Sequence, residues 1–152
     1  MTQLLGILDV DPIAVMLRTA LPDLVEIGTA SEFARLTAQT IRWPSAYVIP
    51  LAESAGANRY QTCGVLDQRV TARFGVVWAV RDIGDRKGSL AIGDIKSVRE
   101  AGMAALCRFT PANAETACEP VSGRLVSNID RDGQMLWQDD FTVAFTRRIA
   151  AN

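Results

Sequence analysis

Apolar and polar positions alternate most regularly along residues 68–83, QRVTARFGVVWAVRDI. Val70, Ala72, Phe74, Val76, Trp78 and Val80 are all apolar, while the intervening positions mix Arg69, Thr71, Arg73, Gly75, Val77, Ala79 and Arg81. A period of two carried by β-branched and aromatic residues predicts a strand with one face in a core. The run is long against a usual strand of about five or six residues. Gly75 has no side chain to pack, so it predicts a bend or bulge there. A strand of this length can run through a sheet and project past it, and a projecting edge invites pairing with another chain.

The remaining pattern fills in around that strand. Asp11 and Pro12 open a helix, the aspartate as acceptor for free first-turn amides and the proline at a position whose amide is not needed. Ile13, Met16, Leu17 and Ala20 then form one apolar stripe, and Pro22 ends it. Residues 2–8 are apolar and fit either a backward extension of this helix or a pairing elsewhere. Residues 24–27 are a short strand candidate. Thr29 and Glu32 have the spacing of a capping box ahead of Phe33 and Leu36, predicting a second helix over about 30–38. A second strand is expected at 44–51, with Pro44 and Pro50 at its ends or along an edge. Residues 52–64 form a connecting loop rich in Ala, Gly, Ser and Asn. Residues 84–88 form a charged turn. A helix over about 94–107 buries Ile95, Val98, Ala101, Gly102, Ala105 and Leu106 and leaves Lys96, Arg99 and Glu100 in water. After a coil at 110–119, strands at 124–129 and 135–147 flank a turn at 130–133. In the last strand Trp137, Phe141, Val143 and Phe145 share one face and Gln138, Asp140, Thr142 and Thr146 the other. Asp139 interrupts the apolar row, which suggests a rim position or a bulge.

Consecutive strands and hairpin signals favour an α+β domain: a largely antiparallel or mixed β-sheet, two or three helices packed on one face, and an extended β-hairpin arm. A parallel α/β sheet would need regular strand–helix alternation, which the last third lacks. The length of 152 residues fits one domain, 1–152. The hydrophobic and charged fractions, 49% and 22%, are those of a globular chain. With 16 basic and 17 acidic residues the net charge is −1, so no electrostatic case exists for wrapping nucleic acid or lying on an anionic membrane. No window reaches the ~20 apolar residues of a membrane span. The first residues lack the basic flank and cleavage site of a signal peptide.

Candidate chemistry is sparse. The chain has no histidine, which removes the commonest general base, the commonest transition-metal ligand and every Ser-His or Cys-His arrangement. Cys63, Cys107 and Cys118 are an odd set without Cys-x-x-Cys spacing, read as free thiols in a reducing compartment that pack as small hydrophobes. Cys63, in the long loop, is the one nucleophile to weigh, but no histidine can activate it. No phosphate-binding glycine loop occurs, and residues 84–88 lack its spacing. The carboxylate pairs Asp82 with Asp85, Asp130 with Asp132 and Asp139 with Asp140 fit turns and strand ends better than catalytic dyads or calcium ligands. Catalytic, cofactor and metal residues are therefore assigned to none. The arginines remain. Arg69, Arg73 and Arg81 share the polar face of the long strand, with Arg59, Tyr60, Asp85, Arg86 and Lys87 on its flanking loops. Aromatic residues point to the opposite face, so a nucleic-acid surface is not indicated. A solvated face and a subunit interface are the two readings, the second because arginine is enriched at interfaces.

The residues 44–51, PSAYVIPL, with Glu53 and the loop residues Gly56, Ala57 and Asn58, resemble the tail terminator proteins of long-tailed bacteriophages, prophages and gene transfer agents. The resemblance continues through 68–77, QRVTARFGVV, and Val80, Arg81 and Asp82, and closes with LWQDDF at 136–141. It covers roughly residues 10–148 and rests on patterned strands, with no catalytic signature to carry over. It implies a structural virion protein without enzyme activity or cofactor, assembled in the host bacterial cytoplasm and resident in the tail and neck. As implied, copies form a ring, a hexamer, that caps the head-proximal end of the tail tube and stops its polymerisation. The partners implied are the tail tube protein and a neck or head-completion protein, with DNA only passing through the lumen. Loops 52–64 and 84–90 are the candidate contacts, and the hairpin arm 59–86 of one subunit is expected against the sheet of the next. Another neck component, or a small cytosolic enzyme using Cys63, is the alternative.

Overall fold

The computed structural model describes residues 4–35, 41–60, 64–81, 89–127 and 134–150, apart from the side chains of 89–94 and 127. The turns expected at 84–88 and 130–133 lie outside these residues, as do Asp82, Asp85, Arg86, Lys87, Asp130, Asp132 and Cys63. In chain order the elements are α1 (Asp11–Ala20), β1 (Glu26–Thr29), α2 (Ala30–Ala34), β2 (Ser45–Ala55), β3 (Leu66–Arg81), α3 (Ser89–Cys107), β4 (Glu119–Ser127) and β5 (Gln134–Ile149). The strands form one open sheet in the order β1-β2-β3-β5-β4. Only β1 and β2 run parallel; every other pair is antiparallel. The architecture is α+β with a mixed sheet, as the pattern predicts.

The long strand is the centre of this sheet. β5 accompanies β3 along its whole length, from Leu66 opposite Ile149 to Arg81 opposite Gln134. β2 covers its other edge from Ala79 to Val70. β2 and β3 form a long antiparallel hairpin, but over the described part of the arm expected at 59–86, β3 does not project past its own sheet. The free edge of this hairpin belongs to β2, since β1 pairs only with Ser45–Val48. Gly75 sits in unbroken register and makes no bulge; the bulge lies across the ladder, at Leu51 in β2. Gly75 instead gives room, since a Cβ there would approach the side chains of Gln138 and Asp140 at 3.0–3.2 Å.

The even-numbered side chains of β3 and the odd ones of β5 meet α1 and α3. Val70, Phe74, Val76 and Trp78 are solvent-free beneath Ile13, Leu17 and Leu106, and Phe74 stacks on Phe141 at 5.5 Å. Burying side chains of this size contributes about 1.5–3 kcal/mol each before the cost of ordering them. The opposite face carries a smaller cluster at the β1–β2 end, Tyr47, Val77, Ala79 and Leu136, covered by Phe33, Ile41, Trp43 and Ile49. α2 therefore lies on the side away from α1 and α3, with Phe33 5.3 Å from the Tyr47 ring.

Local details differ from the pattern where a tertiary partner intervenes. Asp11 is the first residue of α1, not its cap; Asp9 accepts the Asp11 amide through Oδ1 at 3.1 Å. The Thr29 amide donates to Glu32 Oε2 at 3.1 Å, as the box spacing predicts. β1 begins two residues late, β2 runs on to Ala55, and β4 starts at Glu119. α3 begins at Ser89. Within α3 Ala101 is exposed, while Arg99 turns inward. Residues 4–8 extend no helix: Leu4 bridges Arg148, and Gly6, at φ +59°, passes so close to Phe145 that a Cβ would lie 3.1 Å from it.

Candidate subunit interface

Asp139 is neither at the rim nor in a bulge. It is 2% exposed, pairs in register with Val76, and faces the helices. Arg99 Nε and Nη2 donate to its two carboxylate oxygens at 2.8 and 2.9 Å. Trp78 Nε1 and Trp137 Nε1 donate to it at 3.0 and 2.9 Å. The Arg99 guanidinium also lies 4.4 Å from the Trp137 ring, a favourable charge–quadrupole contact. A buried carboxylate with four charge-assisted or indole donors is satisfied. Its role is to pin α3 to the sheet.

Asp140 points to the other face, so the two neighbours form no dyad. Arg73 Nη2 donates to Asp140 Oδ2 at 2.7 Å and to Ser122 Oγ at 3.0 Å. Gln138 Nε2 donates to Asp140 Oδ1 at 2.7 Å, and Arg124 Nη2 donates to Gln138 at 3.4 Å. Burial pushes the Asp140 carboxyl up, but the bonds from Gln138 and Arg73 and the nearby positive charges outweigh it and hold it below the usual carboxylate range. This network knits β3, β5 and β4 across the open face.

At the far end of the hairpin a third carboxylate, Asp67, is buried against Arg59 at 3.4 Å and Arg148 at 2.8 Å. Asn58 closes the loop there: its Nδ2 donates to the Val65 carbonyl, and its Oδ1 accepts from the Tyr60 and Asp67 amides. The loop is thus organised by its own polar groups. Of the residues singled out from sequence, Arg59 belongs to this clamp, and Tyr60 is 53% exposed beside it. Arg69 is exposed on the open face and Arg73 belongs to the Asp140 network. Arg81 ends β3, roughly 40 Å from Arg69 at the rise of an extended strand. The structure therefore does not gather these arginines into one patch. Asp140, Gln138, Ser122 and Arg124, which pattern reasoning did not select, share one network with Arg73. The only sequence signal for it is the polar row opposite Arg73 in β5.

Among the described residues no cluster of three or more Cys, Asp or Glu side chains is placed to hold a metal. No described helix is long and apolar enough to cross a membrane. What the molecule offers is surface: the polar open face, and two outer sheet edges formed by β4 and by the distal half of β2. Exposed apolar side chains gather at those edges, Val121, Leu125 and Val126 on β4 and Leu51 on β2 with Ile7 alongside.

Comparison with protein families matches residues 4–152 to the model described as phage tail terminator protein. The chain belongs to the phage tail terminator family. The match spans the five strands and three helices of the described residues. Membership gives the chain a structural role in the phage tail and makes it a virion component. No curated protein matches it. Asp139 and Asp140 are each paired with an arginine of their own, Arg99 and Arg73.

Proposed function

We propose that this terminator caps the head-proximal end of the tail tube as a closed ring, a hexamer, halts tube growth and presents a joint to the neck. The observation that carries the reading is the family match over nearly the whole chain. A head-to-tail ring needs two different surfaces on one subunit, and the sheet has two dissimilar outer edges at its opposite ends. The exposed hairpin end with Arg59, Tyr60 and Arg69, and residues 84–90 with Asp85, Arg86 and Lys87, are the contacts proposed for the next subunit or the axial partners. The tail tube protein and a neck or head-completion protein are those partners; DNA only passes through the lumen.

The test is tube assembly from purified tube protein with and without this chain. Tubes are expected to stop at shorter lengths, with the added protein at one end in electron micrographs. Tubes that grow unchanged, with no end bound, would remove the capping role. If the chain binds filled heads and ignores tubes, the neck-component reading takes its place.

A further inference from the structure

We propose that copies of this chain join head to tail by antiparallel pairing of the outer edge of β4 with the outer edge of the distal half of β2. The inference rests on the ring reading and names its contact.

Both edges have backbone groups facing outward, and among the described residues no strand of the same chain lies beyond them. β4 pairs only with β5, and β2 from Ile49 to Ala55 has lost β1 as a neighbour. Such edges are templates for strand addition. Strand direction then selects the pair. β2 is antiparallel to β3, β3 to β5 and β5 to β4, so β4 and β2 run oppositely within one subunit. A second copy rotated about an axis along the strands keeps those directions, and its β2 meets the first copy's β4 antiparallel. A β4–β4 contact would also be antiparallel, but it is two-fold and closes at a dimer.

The side chains agree with this choice. Val121, Leu125 and Val126 on one edge, and Leu51 with Ile7 at the other, are 41–66% exposed. Each edge also carries a proline and a bulge, Pro120 with register breaks at Val121 and Val126, and Pro50 with a break at Leu51. These features blunt indiscriminate pairing and favour one shaped partner. Following the ladders, Glu119 lies level with Ala52 and Ser127 level with Ser45. The open part of β2 starts further on, at Ile49, so neighbours step along the strand direction. A stagger of that kind is what a sheet needs when it closes on itself.

The test uses the full chain in a background of Cys63→Ser, Cys107→Ser and Cys118→Ala, with either Ser54→Cys or Val121→Cys added. A short bismaleimide is applied at high protein concentration. A mixture of the two variants is expected to give a cross-linked dimer, while each alone gives none. Cross-linking of Val121→Cys with itself, or no product in the mixture, would overturn the pairing. Leu51→Asp in the otherwise unchanged chain is expected to reduce self-association measured by sedimentation at least tenfold, with circular dichroism unaltered; unchanged association would also overturn it. Tube assembly separates the two readings. A chain that caps tubes without the mixed cross-link loses this contact and keeps its capping role, and the converse result does the reverse.

Discussion

Two adjacent aspartates, Asp139 and Asp140, face opposite sides of one strand and are neutralised by arginines from different elements. Their settings differ, and so do their consequences. Asp140 has a depressed carboxyl, so its contribution to stability is present above the ordinary aspartate pKa of about 3.9 and is lost as pH falls through the lower folded value. Arg73 is partly exposed, which limits the pair to about 1 kcal/mol. Asp140→Asn is therefore expected to cost about that much at pH 7, with the difference from the parent shrinking below pH 4. Urea unfolding at a series of pH values checks it; a gap that widens on acidification would contradict the assignment. The cysteines give a second expectation. Burial pushes the Cys118 thiol up to about 12, with Cys107 nearby adding to the rise, whereas Cys107 is exposed. A thiol reagent at pH 8 should label Cys107 in the folded protein and reach Cys118 only on unfolding, as peptide mapping would read.

At the scale of elements, the contact of α3 with the sheet is set by a missing side chain. A Cβ on Gly102 would fall 2.3 Å from Trp78 Cη2, and that indole is wholly buried. Glycine to alanine in a helix ordinarily gains about 1 kcal/mol. Gly102→Ala should instead lose about 1–3 kcal/mol, because α3 must lift from Trp78 and strain the Arg99–Asp139 bonds. Denaturant midpoints at constant slope would show it, and a gain in stability would mean that the helix has slack. The long strand, the α3 stripe and the split faces of β5 are legible in the sequence because each is periodic and faces a single core. Arg99 and Asp139 are not legible, since each breaks its own pattern and only their meeting in space explains both. The bulge at Leu51 is not legible for a related reason: the glycine at 75 signals conformational freedom, but here it makes space for Gln138 and Asp140. Composition makes 52–64 a connecting loop, yet β2 takes its first four residues and Asn58 bonds to Val65 and Asp67, pairings that composition does not reveal.

For the whole molecule, one continuous core links α1, α3 and every strand but β4, and β4 is laced to its neighbour by the Arg73–Asp140–Ser122 network. Tryptophans report on both sides of the sheet: Trp78 and Trp137 lie under α3, and Trp43 sits in the smaller cluster. Thermal unfolding followed by tryptophan emission and by far-ultraviolet dichroism should therefore coincide at any one protein concentration. Separate transitions would mean that the two faces melt independently.

The pairing of β3 with β5 also has a mechanical side. Its residue pairs run unbroken from Leu66–Ile149 to Arg81–Gln134. Tension applied along those strands in opposite senses loads the whole ladder in shear, so its bonds must yield nearly together. Tension across the sheet at β1 meets a parallel ladder of only Glu26–Thr29, which can peel bond by bond. The subunit is stiff along one direction and yielding along the other, and any force that a tail transmits through it will be felt according to how the strands are oriented.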